Sequence, residues 1–278
     1  MRLLTLSRDL MRRKARERNG LFVAEGIRAV EELLASPLRI TGALACDQLL
    51  ERTHRGVALA AALEQRGIGM ERVNERDFLS ASDTEHPQGV LAIAEQPAYN
   101  LSSLMGSAGT GGTGGTNAAP AVRLLILDGI QDPGNVGTLL RTAAALGCAA
   151  SIALPGTVDV WNAKVVRSAA GMQFRHPTTS TTGEELEPFL REQAIVLWGA
   201  DASGDSIDGL SSEPPTRLAL AVGNEGAGIS EVLRASCARM VSLPMAPGAE
   251  SLNVAVAAGI ALFALRPRQA PAPLHSSR

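Results

Sequence analysis

The sequence predicts an α/β protein of two domains, and three observations carry that prediction. Apolar runs of strand length alternate with helix-spaced stretches along most of the 278 residues. That alternation is the pattern of a parallel, doubly wound sheet. An uncharged stretch at 100–120, "NLSSLMGSAGTGGTGGTNAAP", divides the chain. Three polar clusters each follow directly on an apolar strand, where open α/β sheets bind their ligands.

The first domain spans residues 1–97. Residues 1–20 hold Arg2, Arg8, Arg12, Arg13, Lys14, Arg16 and Arg18 against Asp9 and Glu17, a strongly basic start. Such an end either contacts phosphate or is a solvated helix face. "IRAVEELLAS" places Ile27, Val30, Leu33 and Leu34 at helix spacing and stops before Pro37. "RITGALAC" reads as a strand, "GVALAAALEQRG" as a helix closed by Gly67, "GIGMERVN" as a short strand and "GVLAIAE" as the last strand. The result is a small α/β sandwich. The uncharged stretch, with its flanks 98–121, reads as a linker. It has too little apolar bulk to offset its ordering entropy. A coil of this length spans roughly 25 Å root-mean-square.

The second domain spans 122–267. "VRLLILDGI" is a continuous apolar run, as a strand buried on both faces requires. A helix over 135–146 follows, then "AASIALPG" as a strand and "WNAKVVRSAAGM" as a helix. "AIVLWGAD" and "RLALAVGNEG" are strands, "SEVLRASC" a short helix, "RMVSLPM" a strand and "SLNVAVAAGIALFAL" the final helix. Residues 268–278, "RQAPAPLHSSR", read as a disordered tail.

Composition narrows the function classes. Hydrophobic residues make up 45% of the chain and aromatics only 3%, so the core is aliphatic. The longest apolar run, 254–265, is too short to cross a bilayer. The charged N-terminus does not resemble a signal peptide, so a cytoplasmic protein is expected. Cys46, Cys148 and Cys237 are few and far apart, and His54, His86, His176 and His275 have no ligand spacing. No metal is expected. A net charge of −2 argues against indiscriminate nucleic-acid binding.

No G-x-G-x-x-G follows the first strand of the second domain, and no P-loop signature is present. The chemistry must lie in the three clusters. In "DPGNVGTLLRTAAALG", Asn135 can cap the helix and Arg141 is a permanent charge among small and apolar residues. Its plain alternative is a snorkelling surface arginine. In "AVGNEGAGIS", Glu225 sits on a glycine-rich turn that lets backbone approach a flat ligand. In "SLPMAPGAESLNVAVAAG", Ser251 and Asn253 stand at a helix start, as caps or as ligand contacts.

Together "LDGIQDPGNVGTLLRTAAALG", "LALAVGNEGAGIS" and "LPMAPGAESLNVAVAAGIALF" resemble the three motifs of the SpoU (TrmH-like) RNA 2′-O-ribose methyltransferases of the SPOUT superfamily, in order. "GLFVAEGIRAVEELL" and "DTEHPQGVLAIAE" resemble the L30e-like substrate-binding domain that often precedes it.

The resemblance implies a trefoil knot in the second domain, a homodimer packed through it, and S-adenosylmethionine as methyl donor. It implies that Gly223, Leu243 and Leu252 hold the donor. It places Asn135, Arg141, Glu225, Ser251 and Asn253 among the polar catalytic residues. Arg141 then serves either its own site or the partner's. Its guanidinium suits a phosphate or a developing alkoxide better than proton abstraction, because it presents five donors and no acceptor. The expected substrate is structured RNA, with ribosomal RNA favoured over tRNA by analogy of domain architecture. The rivals are a tRNA 2′-O-methyltransferase and an inactive RNA-binding protein with the same fold. Arg141→Ala separates enzyme from binder.

Overall fold

A computed structural model describes residues 2–107, 121–210, 212–248 and 251–266. The predicted tail, 268–278, lies outside the described residues.

The N-terminal domain runs α1 (Leu3–Leu10), α2 (Arg13–Asn19), β1 (Leu21–Glu25), α3 (Ile27–Leu34), β2 (Ile40–Ala45), α4 (Asp47–Leu50), α5 (His54–Gln65), β3 (Met70–Arg72), α6 (Glu75–Leu79) and β4 (Val90–Glu95). Its four strands lie in the order β1-β4-β2-β3. Strand β4 is antiparallel to both neighbours, and β2 is parallel to β3. The basic start forms two helices, the helix-face alternative of its sequence, with all its cations but Arg16 exposed. Leu10 and Ala15 are nevertheless buried.

The basic start is largely neutralised within the chain. Arg8 pairs with Asp77, Arg12 and Arg18 with Asp9, Arg13 with Glu17, and Arg16 with Asp159. Only Arg2 and Lys14 of the seven cations lack a pair among the described residues.

The expected linker is in part a folded element. Helix α7 (Leu101–Ser107) occupies its first third, and Leu104 is fully buried in the core of the second domain. That part is not a tether. One leucine with Leu101 and Met105 beside it supplies the apolar contact that composition averaged away. Residues 108–120 lie outside the described residues.

The C-terminal domain runs β5 (Val122–Asp128), α8 (Pro133–Ala145), β6 (Ala150–Ala153), α9 (Ala163–Ser168), β7 (Thr178–Ser180), α10 (Gly183–Glu192), β8 (Val196–Ser206), α11 (Ile207–Leu210), β9 (Arg217–Gly223), α12 (Glu231–Ser236), β10 (Arg239–Ser242) and α13 (Val254–Ala264). The six strands are all parallel, in the order β10-β8-β9-β5-β6-β7. Helices α8, α9 and α13 cover one face, and α7, α10 and α12 the other. Every residue of β5 is buried, as its unbroken apolar run requires. Its buried cation, Arg123, donates to the carbonyls of Val122, Thr216 and Leu265 at 2.8–2.9 Å. The Leu265 bond fastens a cation to the C-terminal end of α13, where the helix dipole favours it.

The two domains share packed contacts. The Phe22 ring on β1 is fully buried, 4.5 Å from the ring of Trp161 and 5.7 Å from that of Phe174. Arg16 bonds Asp159 at 2.6 Å with both side chains mostly buried, and Arg175 pairs with Glu32 at 3.0 Å. Phe22→Ala removes a ring from this shared core, and a loss of about 3–5 kcal/mol is expected. Chemical denaturation checks it; a loss under about 1 kcal/mol would mean the ring carries little of the docking.

Candidate functional site

The site forms where β5, β8, β9 and β10 end. At the exit of β9, Gly223 meets the returning loop at close quarters. A Cβ there would sit 2.2 Å from the carbonyl carbon of Gly228 and the amide nitrogen of Ile229. Only glycine allows that approach. Asn224 closes the loop by backbone bonds in both directions with Gly228, at 3.0 and 2.9 Å. Its Oδ1 accepts the amides of Gly226 and Ala227, and its Nδ2 donates to the carbonyl of Gly129 at 2.9 Å. The Ser230 amide donates to buried Asp128 at 2.7 Å. The loops after β5 and β9 are therefore tied together.

Glu225 projects from this loop. Asn135, the second amide after Pro133, was expected to cap α8. The cap is instead Asp132, whose Oδ1 accepts the Asn135 amide at 2.8 Å. Both residue types cap well, and the sequence does not rank them. The Asn135 side chain is thereby released. Its Nδ2 donates to Glu225 Oε1 at 2.7 Å, and its Oδ1 accepts from Asn253 Nδ2 at 2.9 Å. Asn253 also caps α13, with its Oδ1 accepting the Ala255 amide at 2.9 Å. Ser251 does not share that capping; it is exposed, just before the helix. Asn135 lies 90 residues from Glu225 and 118 from Asn253, so one amide joins all three motifs.

Beside this chain of bonds opens a cavity of about 550 Å³. Gly223, Leu243, Leu252, Glu225, Ser251 and Asn253 all line it. The volume falls within the small-molecule range of roughly 300–1,000 Å³. Its walls combine apolar Val222, Val241 and Ala261 with the polar loop just described. Arg141 is not in the wall. It is exposed on α8, without a hydrogen bond or ion pair to a described residue.

The sequence reading missed Asp201, which also lines the cavity. Hydrogen bonds from the Ser203 hydroxyl and amide, and then Arg234, hold its carboxyl down to about 2. It stands at the end of "AIVLWGAD", so the strand-exit rule applied to that fourth strand would have found it. No group of three His, Cys, Asp or Glu among the described residues is arranged to hold a metal. No helix among them is long and apolar enough to cross a membrane.

Sheet, cavity and joined polar motifs define an α/β domain of the class that binds a small ligand beyond its strand exits. The chain belongs to the SpoU rRNA Methylase family, whose model matches residues 123–263. An MRM3-like substrate binding domain matches residues 6–92. The chain is 32% identical to the 23S rRNA (guanosine(2553)-2′-O)-methyltransferase of Bacillus subtilis, over 93% of this chain and 94% of that one. It is similar to the AdoMet-bound rRNA methyltransferase of Sinorhizobium meliloti, at 27% identity and TM-score 0.76, covering 95% and 94% of the two chains. The SpoU methyltransferase AviRb of Streptomyces viridochromogenes, in complex with AdoMet, matches at 25% identity and TM-score 0.77, over 95% and 97%.

Proposed function

We infer that this protein transfers a methyl group from S-adenosylmethionine to a ribose 2′-hydroxyl of ribosomal RNA. The observation that carries this reading is Asn135, which joins Glu225 and Asn253 at the edge of the cavity. The cavity suits such a donor. Backbone polar groups of the 223–228 loop and apolar Leu243 and Leu252 offer a surface for a flat base and an aliphatic chain. Its bound donor supplies a methyl group already activated on a sulfonium.

The chain's own residues do the rest. The tied loops hold Glu225, Asn135 and Asn253 at fixed separations, so little reorganisation precedes reaction. Ser251 stands beside them for the nucleotide or for Arg141. Arg141 has no partner among the described residues, and its charge is available to an incoming phosphate or to the oxygen as it becomes anionic. The relatives named for 23S rRNA support ribosomal RNA over tRNA.

The test is label transfer from S-adenosylmethionine to purified ribosomal RNA and to bulk tRNA, with the product mapped by nucleoside mass spectrometry. A 2′-O-methyl nucleoside in ribosomal RNA is expected. Label confined to tRNA moves the substrate. Donor binding without label in either leaves an RNA-binding protein.

The reading includes a homodimer and a trefoil path for the second domain. Supporting the dimer, Val256, Ile260 and Phe263 form an exposed apolar stripe along α13, with Leu252 just before the helix, each 42–54% accessible. Their spacing puts them on one helix face, and such stripes mark contact surfaces. Ile260→Glu with Phe263→Glu is expected to give a monomer by light scattering at micromolar concentration; an unchanged mass for both proteins would remove the stripe from the interface. Tracing 196–266 in a crystal structure tests the knot.

A further inference from the structure

We propose that the seam between the domains is a phosphate seat for the RNA, built from Arg167 and Lys164 of α9 and Arg28 of α3. This inference rests on the reading of the protein as an RNA methyltransferase and locates where the RNA backbone is held.

Arg167 is the pivot. Its guanidinium faces two carboxylates of the N-terminal domain without reaching either at hydrogen-bond distance. Nη1 lies 4.0 Å from Glu25 and Nη2 3.7 Å from Asp83. Nη1 is buried and has no hydrogen-bond partner among the described residues. A buried donor left unbonded is costly and calls for an explanation. Glu25 does not supply it, because it stays 4.0 Å away, held by bonds from Ser82, Thr84 and the Asp83 amide. Nη1 itself is closed to solvent, but the side chain as a whole is 34% exposed, and that open part is what a phosphate can reach.

Two further cations stand on the elements that meet here, Lys164 on α9 itself and Arg28 on α3, which follows directly on Glu25. Lys164 is one turn before Arg167, on the same side of α9. Arg28 stands in the first turn of α3, three residues after Glu25. Both are exposed, and neither side chain has a partner among the described residues. This contrasts with the N-terminal helices, where most arginines are engaged by acids of the chain. Helix α9 also packs tightly on α8. A Cβ on Gly137 would lie 2.4 Å from Cβ of Ser168, and Arg141 is one turn beyond Gly137. The seam therefore connects the substrate-binding domain to the helix that carries Arg141. Asp83 is the counter-charge that a phosphate would displace.

The experiment is filter binding of the full-length protein to deproteinised 23S ribosomal RNA across a salt series, with S-adenosylmethionine binding measured by calorimetry in parallel. Each cation that neutralises a phosphate adds roughly 0.7–0.9 to the slope of log affinity against log salt. Lys164→Ala with Arg28→Ala is expected to lower that slope by about 1.5 and to weaken binding about tenfold or more at moderate salt. Asp83→Asn is expected to tighten binding about threefold, by removing the competing carboxylate. Lys14→Ala, an exposed unpaired cation on α2, is expected to leave the slope unchanged. Donor affinity stays at the wild-type value in all of them. An unchanged slope in the double variant, or an equal drop in Lys14→Ala, overturns the seat while the methyltransferase reading stands. A wild-type protein that binds donor but not this RNA overturns the choice of RNA and the seat with it.

Discussion

Arg141→Ala is expected to lower methyl transfer by about 10²–10³-fold, the usual cost of removing one charge-stabilising donor from a reacting centre. Donor affinity is expected to stay within about twofold, because Arg141 lies outside the cavity wall. Fold stability should also hold, since the side chain is exposed and has no described partner to strand. That combination separates a group acting on the nucleotide from one that builds the site. Arg141→Lys keeps the charge and loses the planar fork. Its activity should fall between the two if the role is electrostatic. Single-turnover rates with saturating donor, beside calorimetry, read both quantities. An Arg141→Ala enzyme with more than a tenth of wild-type activity would remove Arg141 from the reacting centre, in its own site or the partner's.

Gly223→Ala is expected to weaken donor binding by roughly a hundredfold and to lower the melting temperature. The added methyl would lie about 2.2 Å from backbone atoms of Gly228 and Ile229, which cannot rotate away as a side chain can. The loop cannot simply shift. Asn224 ties it to Gly129, Asp128 holds the Ser230 amide, and Gly228 already sits at φ +71°. Overpacking of a tight contact costs about 1–3 kcal/mol and more where backbone must move. Placed on the loop that lines the cavity, about 3 kcal/mol corresponds to roughly a hundredfold in affinity. Calorimetry and a thermal melt check it together. Wild-type affinity in Gly223→Ala would mean the loop is looser than its hydrogen bonds imply.

Some of this was legible from residues alone. Strands β5 and β9 read plainly because a strand buried on both faces carries a continuous apolar run. The polar clusters read plainly because they follow those runs directly. Helix α10 did not, because Pro188 reads as a breaker. In the folded chain Pro188 gives up one hydrogen bond, and Leu186, Phe189 and Leu190 are buried around it. Strand β7, "TTS", has no apolar signal and exists through pairing with β6.

The sequence by itself determined the parallel α/β class, the family of the second domain and most of the polar residues around the cavity, Asp201 excepted. Those are local properties: periodicity, turn chemistry and motif order. Tertiary structure alone decided that Asp132 rather than Asn135 caps α8, that Asn135 then joins Glu225 to Asn253, and that the basic N-terminus is mostly spent on internal pairs while Arg141, Lys164 and Arg28 have no partner among the described residues. Each of those outcomes is a competition between partners for one donor or one charge. The partners are up to 118 residues apart, and only the folded chain brings them within bonding distance.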